Sequence, residues 1–162
     1  KEDEEENEEE LITTVKVTLT PISGGAATTY TWKDIDGAGG NAPTIDQITL
    51  APSTAYNCTL QFLDESKTPS EDKTGEINSE GTTHQVFFQP TATNLTINNL
   101  NNDSRGLPLG LTSLWTTGAA STGTLKISLI HKPEAQWGPK TANDPISKGD
   151  TDVEVTFPTR IQ

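Results

Sequence analysis

Three groups of side chains in this sequence have the types and spacing to hold a ligand. The first is Lys33-Asp34-Ile35-Asp36-Gly37-Ala38-Gly39-Gly40-Asn41, where two carboxylates stand two residues apart, followed by glycines and a side-chain amide. Hard cations such as Ca²⁺ want several oxygens from a tight loop, and a D-x-D-G start supplies two carboxylates plus exposed carbonyls. Asn101-Asn102-Asp103-Ser104 is a second oxygen-rich turn, with one formal charge. Neither loop follows the EF-hand spacing, which needs further acids and a closing Glu. Asp and Asn also populate turns for purely conformational reasons. Asp34, Asp36, Asn41 and Asp103 are therefore candidate Ca²⁺ ligands set against a turn-forming background.

The second group is the two histidines, His84 and His131. His84 opens a strand-like run and has Glu76 and Glu80 upstream at steps of four, a spacing that one helical face would share. Gly81 lies between Glu80 and His84 and weakens any such helix. His131 closes a strand-like run beside Lys132-Pro133-Glu134. Two histidines from different strands, joined by carboxylates, could bind a transition metal. A strand-end histidine that only forms hydrogen bonds is the plainer alternative.

The third group is aromatic. Trp32 and Trp115 fall in apparent strands and read as core or sheet-face residues. Trp137, within Pro133-Glu134-Ala135-Gln136-Trp137-Gly138-Pro139, sits in a proline-rich loop where burial is harder to arrange, and it is the candidate ligand or partner contact.

A catalytic constellation does not emerge. The glycine-rich Gly118-Ala119-Ala120-Ser121-Thr122-Gly123 lacks the G-x-S-x-G elbow and connects two strands instead of a strand and a helix. A paired-carboxylate hydrolase would have to draw on Asp34, Asp36, Asp103 and Glu134, which sequence does not bring together. The expectation is a protein that is not an enzyme.

The elements that must position these groups are strands. The chain has 27 threonines, 13 glycines and 10 prolines and no methionine. Threonine suits a pleated surface with one wet face, and Gly and Pro punctuate short strands. Alternation predicts strands over 11–20, 27–33, 44–50, 55–63, 83–89, 93–100, 109–116, 124–131 and 152–161, with Pro90 ending its strand. Residues 64–81 read as either a short helix or an edge hairpin, and 132–149 as a long loop. This pattern predicts an all-β domain over 11–162, an antiparallel β-sandwich of about eight or nine strands, immunoglobulin- or transthyretin-like. The sole cysteine, Cys58, alternates with Tyr56, Leu60 and Phe62 and reads as a small core side chain. It leaves no internal disulfide to form.

The first ten residues, Lys1-Glu2-Asp3-Glu4-Glu5-Glu6-Asn7-Glu8-Glu9-Glu10, hold eight acids and one lysine. Such a run buries nothing and repels itself, so residues 1–10 are expected to be a solvated tether. The remainder carries 15 acids against 10 bases, so most of the net charge of −12 belongs to the tail. That balance disfavours nucleic acid and anionic lipid surfaces. There is no apolar run long enough for a transmembrane helix. The start at Lys1, without Met, is expected for a processed form.

Lys1-Glu2-Asp3-Glu4 resembles the lysine-plus-acids export signal that follows the lipidated cysteine of surface lipoproteins in Bacteroidetes. Further along, Glu8 to Pro21, Asp34-Ile35-Asp36-Gly37 through Asn41-Ala42-Pro43, and His84-Gln85-Val86-Phe87-Phe88 resemble a family of small flavobacterial lipoproteins. Gly106-Leu107-Pro108-Leu109-Gly110, Thr116 to Leu125 and Thr151 to Phe157 extend the likeness over nearly the whole chain. Members are often labelled as a type 1 periplasmic binding fold, a name that implies α/β lobes, whereas the strand pattern here implies β structure only. The resemblance implies a lipid-anchored protein on the outer-membrane surface, with Lys1, Glu2 and Asp3 as export signal and a TonB-dependent transporter as partner. Where relatives favour a third acid in the first loop, this chain has Ala38, and Asn101 and Asn102 replace acids in the second.

Three functions follow as expectations. One is a non-catalytic, cell-surface binding or accessory module, touching the membrane only through a lipid anchor. Another is a fibre subunit that self-assembles by strand exchange through residues 11–20. The last is a metal scavenger using Asp34, Asp36, His84 or His131.

Overall fold

The computed structural model describes residues 11–37 and 39–162. Its strands are β1 (Thr14–Pro21), β2 (Thr28–Lys33), β3 (Thr44–Ile45), β4 (Ile48–Leu50), β5 (Ala55–Asp64), β6 (Glu71–Asp72), β7 (His84–Thr91), β8 (Leu95–Asn98), β9 (Thr112–Thr117), β10 (Ser121–His131) and β11 (Asp150–Ile161). Two short helices, α1 (Thr74–Ser79) and α2 (Glu134–Trp137), complete it, with a 3₁₀ turn at Gly81–Thr83. The expected Lys1, Glu2 and Asp3 signal lies outside the described residues.

The strands form two sheets, one ordered β3-β2-β1-β5-β9-β8 with β6 added to β5, the other β4-β11-β10-β7. The domain is all-β and sandwich-like, as the alternating sequence predicts. Val15, Val17 and Leu19 of β1 and Tyr56, Cys58, Leu60 and Phe62 of β5 turn inward from the first sheet. Leu125, Ile127 and Leu129 of β10 and Val153, Val155 and Phe157 of β11 turn inward from the second, and all belong to one core. Period-2 patterning works because each strand has one wet face. Trp115 is fully buried and donates its Nε1–H to Ser113 Oγ at 3.0 Å, which satisfies its one polar group.

Three expectations are corrected and one open choice, over residues 64–81, is resolved. Residues 44–50 do not form one strand. Thr44 and Ile45 pair with β2, whereas Ile48 to Leu50 pair parallel with β11 in the other sheet, so the chain changes sheets at Asp46. Asp46 marks the corner by exchanging hydrogen bonds with Thr31, its N–H to Thr31 O and its carboxylate to Thr31 N–H. Pro90 does not end β7, which runs to Thr91. β7 is an edge strand, where proline's missing N–H costs no ladder bond. Residues 64–81 contain both alternatives, since β6 pairs with the end of β5 and α1 buries Ile77. Finally, the stretch 132–149 is not all loop, because α2 sits inside it.

That stretch is held by buried cations. Lys132 Nζ donates to Gln85 Oε1 at 2.7 Å and Asp144 Oδ2 at 3.3 Å, and lies 5.2 Å from the Phe87 ring centroid. Lys140 Nζ donates to His84 O at 2.8 Å, Gly81 O at 3.1 Å and Asp103 Oδ2 at 2.9 Å. Burial lowers the pKa of both lysines, against the opposing pull of Asp144 and Asp103. A segment with little secondary structure is thereby tied to β7 and to the turn before it.

Candidate metal centre

His84 begins β7 and stands directly opposite His131, the last residue of β10. The register from Leu129 to His131 and that from Val86 to His84 put both imidazoles beyond the same end of the inner face. Their rings stack, with centroids 4.6 Å apart and planes 8° from parallel. His131 in turn pairs with Asp150, the first residue of β11.

The third member comes from an irregularity. Along the β10–β11 ladder, Leu129 pairs with Val153 but Ile130 pairs with Thr151, so Asp152 is the extra residue of a bulge. Strict alternation would send Asp152 outward with Glu154 and Thr156. A bulge re-aims the side chain it carries. Asp152 accordingly lies beside His84, its Oδ2 3.6 Å from His84 Nε2, and both side chains are 1% exposed. One nitrogen from each histidine and one oxygen from Asp152 fall within 4.8 Å of one another.

Two features suit this group to a cation. His84 Nδ1 is 3.0 Å from Glu80 O. Donation of an N–H there fixes the ring so that Nε2 is the nitrogen turned toward Asp152, and a second-sphere carbonyl of this kind is usual behind metal-binding histidines. The Glu80 upstream of His84 thus acts through its carbonyl, not its carboxylate. Neither carboxylate oxygen of Asp152 has a hydrogen-bond donor among the described residues, although both are buried. A buried carboxylate with so little compensation is costly, and a cation supplies what is missing. Burial and the neighbouring His84 hold the pKa of His131 below its ordinary value, opposed by Asp152, Glu80 and Asp150. Neutral imidazole is the ligand form. His131 is only half-buried and forms the open side.

Tetrahedral Zn²⁺ with bonds near 2.0–2.1 Å sets its donors about 3.4 Å apart, so donors spread over as much as 4.8 Å must draw in by up to about 1.4 Å.

The remaining candidates lie elsewhere. Asp34, Asp36 and Asn41 sit in the loop after β2, in the other sheet. Asp36 Oδ2 accepts from Asn41 N–H at 2.8 Å, and a Cβ on Gly40 would fall 2.5 Å from Asp36 Cγ, so this carboxylate is folded onto its own loop. The Asn41 hydrogen bond lowers the pKa of Asp36, while burial and the adjacent Asp36 raise that of Asp34. Asp34 Oδ1 is buried without a hydrogen bond. Asp103 accepts from Arg105 and Leu107 N–H through Oδ1 and from Lys140 through Oδ2, so protein groups engage both oxygens. Burial pushes its pKa up, and these bonds outweigh it. Asn101 Oδ1 likewise accepts from Gly110 and Thr112 N–H. Trp137 is half-buried and donates Nε1–H to Asp150 Oδ2 at 3.4 Å, which brings it to the rim of the histidine group. Cys58 is buried in the core, and burial pushes its thiol up to about 12.

Comparison with family models, with curated protein sequences and with solved structures gave no match.

Proposed function

We propose that this chain is a non-catalytic binding module that takes one divalent transition cation, Zn²⁺ or Cu²⁺, at His84, His131 and Asp152. The observation that carries the reading is the Asp152 carboxylate, buried without a hydrogen-bond donor beside two stacked imidazoles. Two imidazoles and one carboxylate favour borderline transition ions; Ca²⁺ wants six to eight oxygens. The acidic leader and the likeness to flavobacterial lipoproteins support a setting on the outer-membrane surface, lipid-anchored, with a transporter as recipient of the bound ion.

Isothermal calorimetry tests the site with wild type, His131→Ala and Asp152→Asn, each checked for folding by circular dichroism. Wild type should take one equivalent of Zn²⁺ or Cu²⁺ and give no heat with Ca²⁺. Each variant should bind at least about tenfold more weakly, since a ligand is lost. Flat transition-metal titrations of folded wild type, or unchanged affinity in both variants, would remove the proposal.

A further inference from the structure

We infer that Lys140 is a positioning residue for the cation centre, and that the 132–149 segment and the cation hold each other in place. This rests on the cation reading above and adds a regulatory coupling to it.

The segment is bracketed by the centre. It leaves β10 immediately after His131 and returns to β11 immediately before Asp150, with Asp152 two residues on. Its two ends are pressed together. Gly149 has φ of +131°, and a Cβ there would meet Ile130 Cγ2 and lie 2.8 Å from His131 O. An ion bridging His131 and Asp152 therefore fastens the base of the segment.

The middle of the segment reaches the third ligand. Lys140 Nζ places its three donors on Gly81 O, His84 O and Asp103 Oδ2, at 3.1, 2.8 and 2.9 Å. Two of those acceptors bracket the 3₁₀ turn, and Glu80 O, which receives His84 Nδ1, lies immediately before it. Lys140 thus fixes both the backbone of His84 and the turn that orients its ring. Lys132 ties the next residue of β7, through Gln85 Oε1, and its N–H bonds Thr83 O at 2.6 Å. The ammonium of Lys140 sits outside the ligand set and acts only through His84. Coupling of this kind is reciprocal: whatever a closed segment adds to cation affinity, the cation returns to segment closure.

Limited trypsin digestion, read by mass spectrometry, tests closure at Lys140 and Lys148 in wild type, with excess Zn²⁺ or after chelation. Cleavage at these two sites should slow at least about fivefold with Zn²⁺, in line with typical coupling strengths. Equal rates in a protein that calorimetry shows to bind Zn²⁺ would overturn this inference and leave the cation site standing. An absence of binding would remove both. The second measurement is Zn²⁺ affinity in Lys140→Met. Removing one partner of a buried pair threatens folding, so Asp103→Asn/Lys140→Met, which removes the lone charge as well, accompanies it. A folded variant should bind Zn²⁺ about tenfold more weakly or worse, as loss of a ligand-orienting contact does. Affinity within twofold of wild type would overturn the positioning role.

Discussion

At the residue scale, Asp144 shows burial and hydrogen bonding in direct opposition. Burial raises its carboxyl pKa, yet Thr141 N–H and Oγ1–H and the ammoniums of Lys148 and Lys132 win, and the group stays ionised far below the ordinary range. Its Oδ2 is 3.3 Å from Lys132 Nζ, whose side chain is wholly buried. Asp144→Ala should cost about 3 kcal/mol at neutral pH, because a buried ammonium loses its counter-charge. The sign of the pH effect follows from the depressed native pKa. The stabilisation is complete above the unfolded value of about 4 and is lost as pH falls below it toward the native value. Urea melts at neutral pH and near pH 2.5 should show the gap between wild type and variant narrowing in acid; a constant gap would contradict the assignment. Neither Asp144 nor its lysines stood out in the sequence, since a charged residue in a loop is ordinarily solvated, and nothing local marks one that is not.

At the element scale, the bulge in β11 and the glycine before it do the positioning. Alternation through Val153, Val155 and Phe157 is plain from the sequence, and carried one residue back the same rule would send Asp152 to solvent. The rule fails by one residue because the ladder slips there, and a slip depends on the partner strand β10, not on β11 alone. The histidine pair was visible as two strand ends, but its direct register needed β7 to lie beside β10. Gly149→Ala should cost about 2 kcal/mol or more, since a side chain must adopt a left-handed φ and also push against His131 O and Ile130. Thermal melts measure the loss, and a change below about 0.5 kcal/mol would show that the strand ends separate freely.

At the scale of the whole molecule, the open question was whether the first strand is an edge available for exchange. β1 lies between β2 and β5, paired along its whole length with β5 and from Thr14 to Leu19 with β2. Its Val15, Val17 and Leu19 are core residues. Deleting residues 1–20 should therefore abolish cooperative folding, not merely prevent assembly. A truncated chain that stays monomeric and retains a sigmoidal thermal transition would show that the core closes without β1.

Composition and period were enough to establish a strand-built, helix-poor body and the inward faces of β1, β5 and β11, because these follow from local stiffness and from one wet face per strand. They also nominated both histidines. Which strands became neighbours, where the ladder slipped, and which lysines were drawn inside emerged only in the folded chain. Those outcomes depend on groups 12 to 68 residues apart in sequence, such as Lys132 with Asp144 and Gln85, or His84 with Asp152. Burial cost and hydrogen-bond satisfaction are properties of such assembled sets, and no window of consecutive residues contains them.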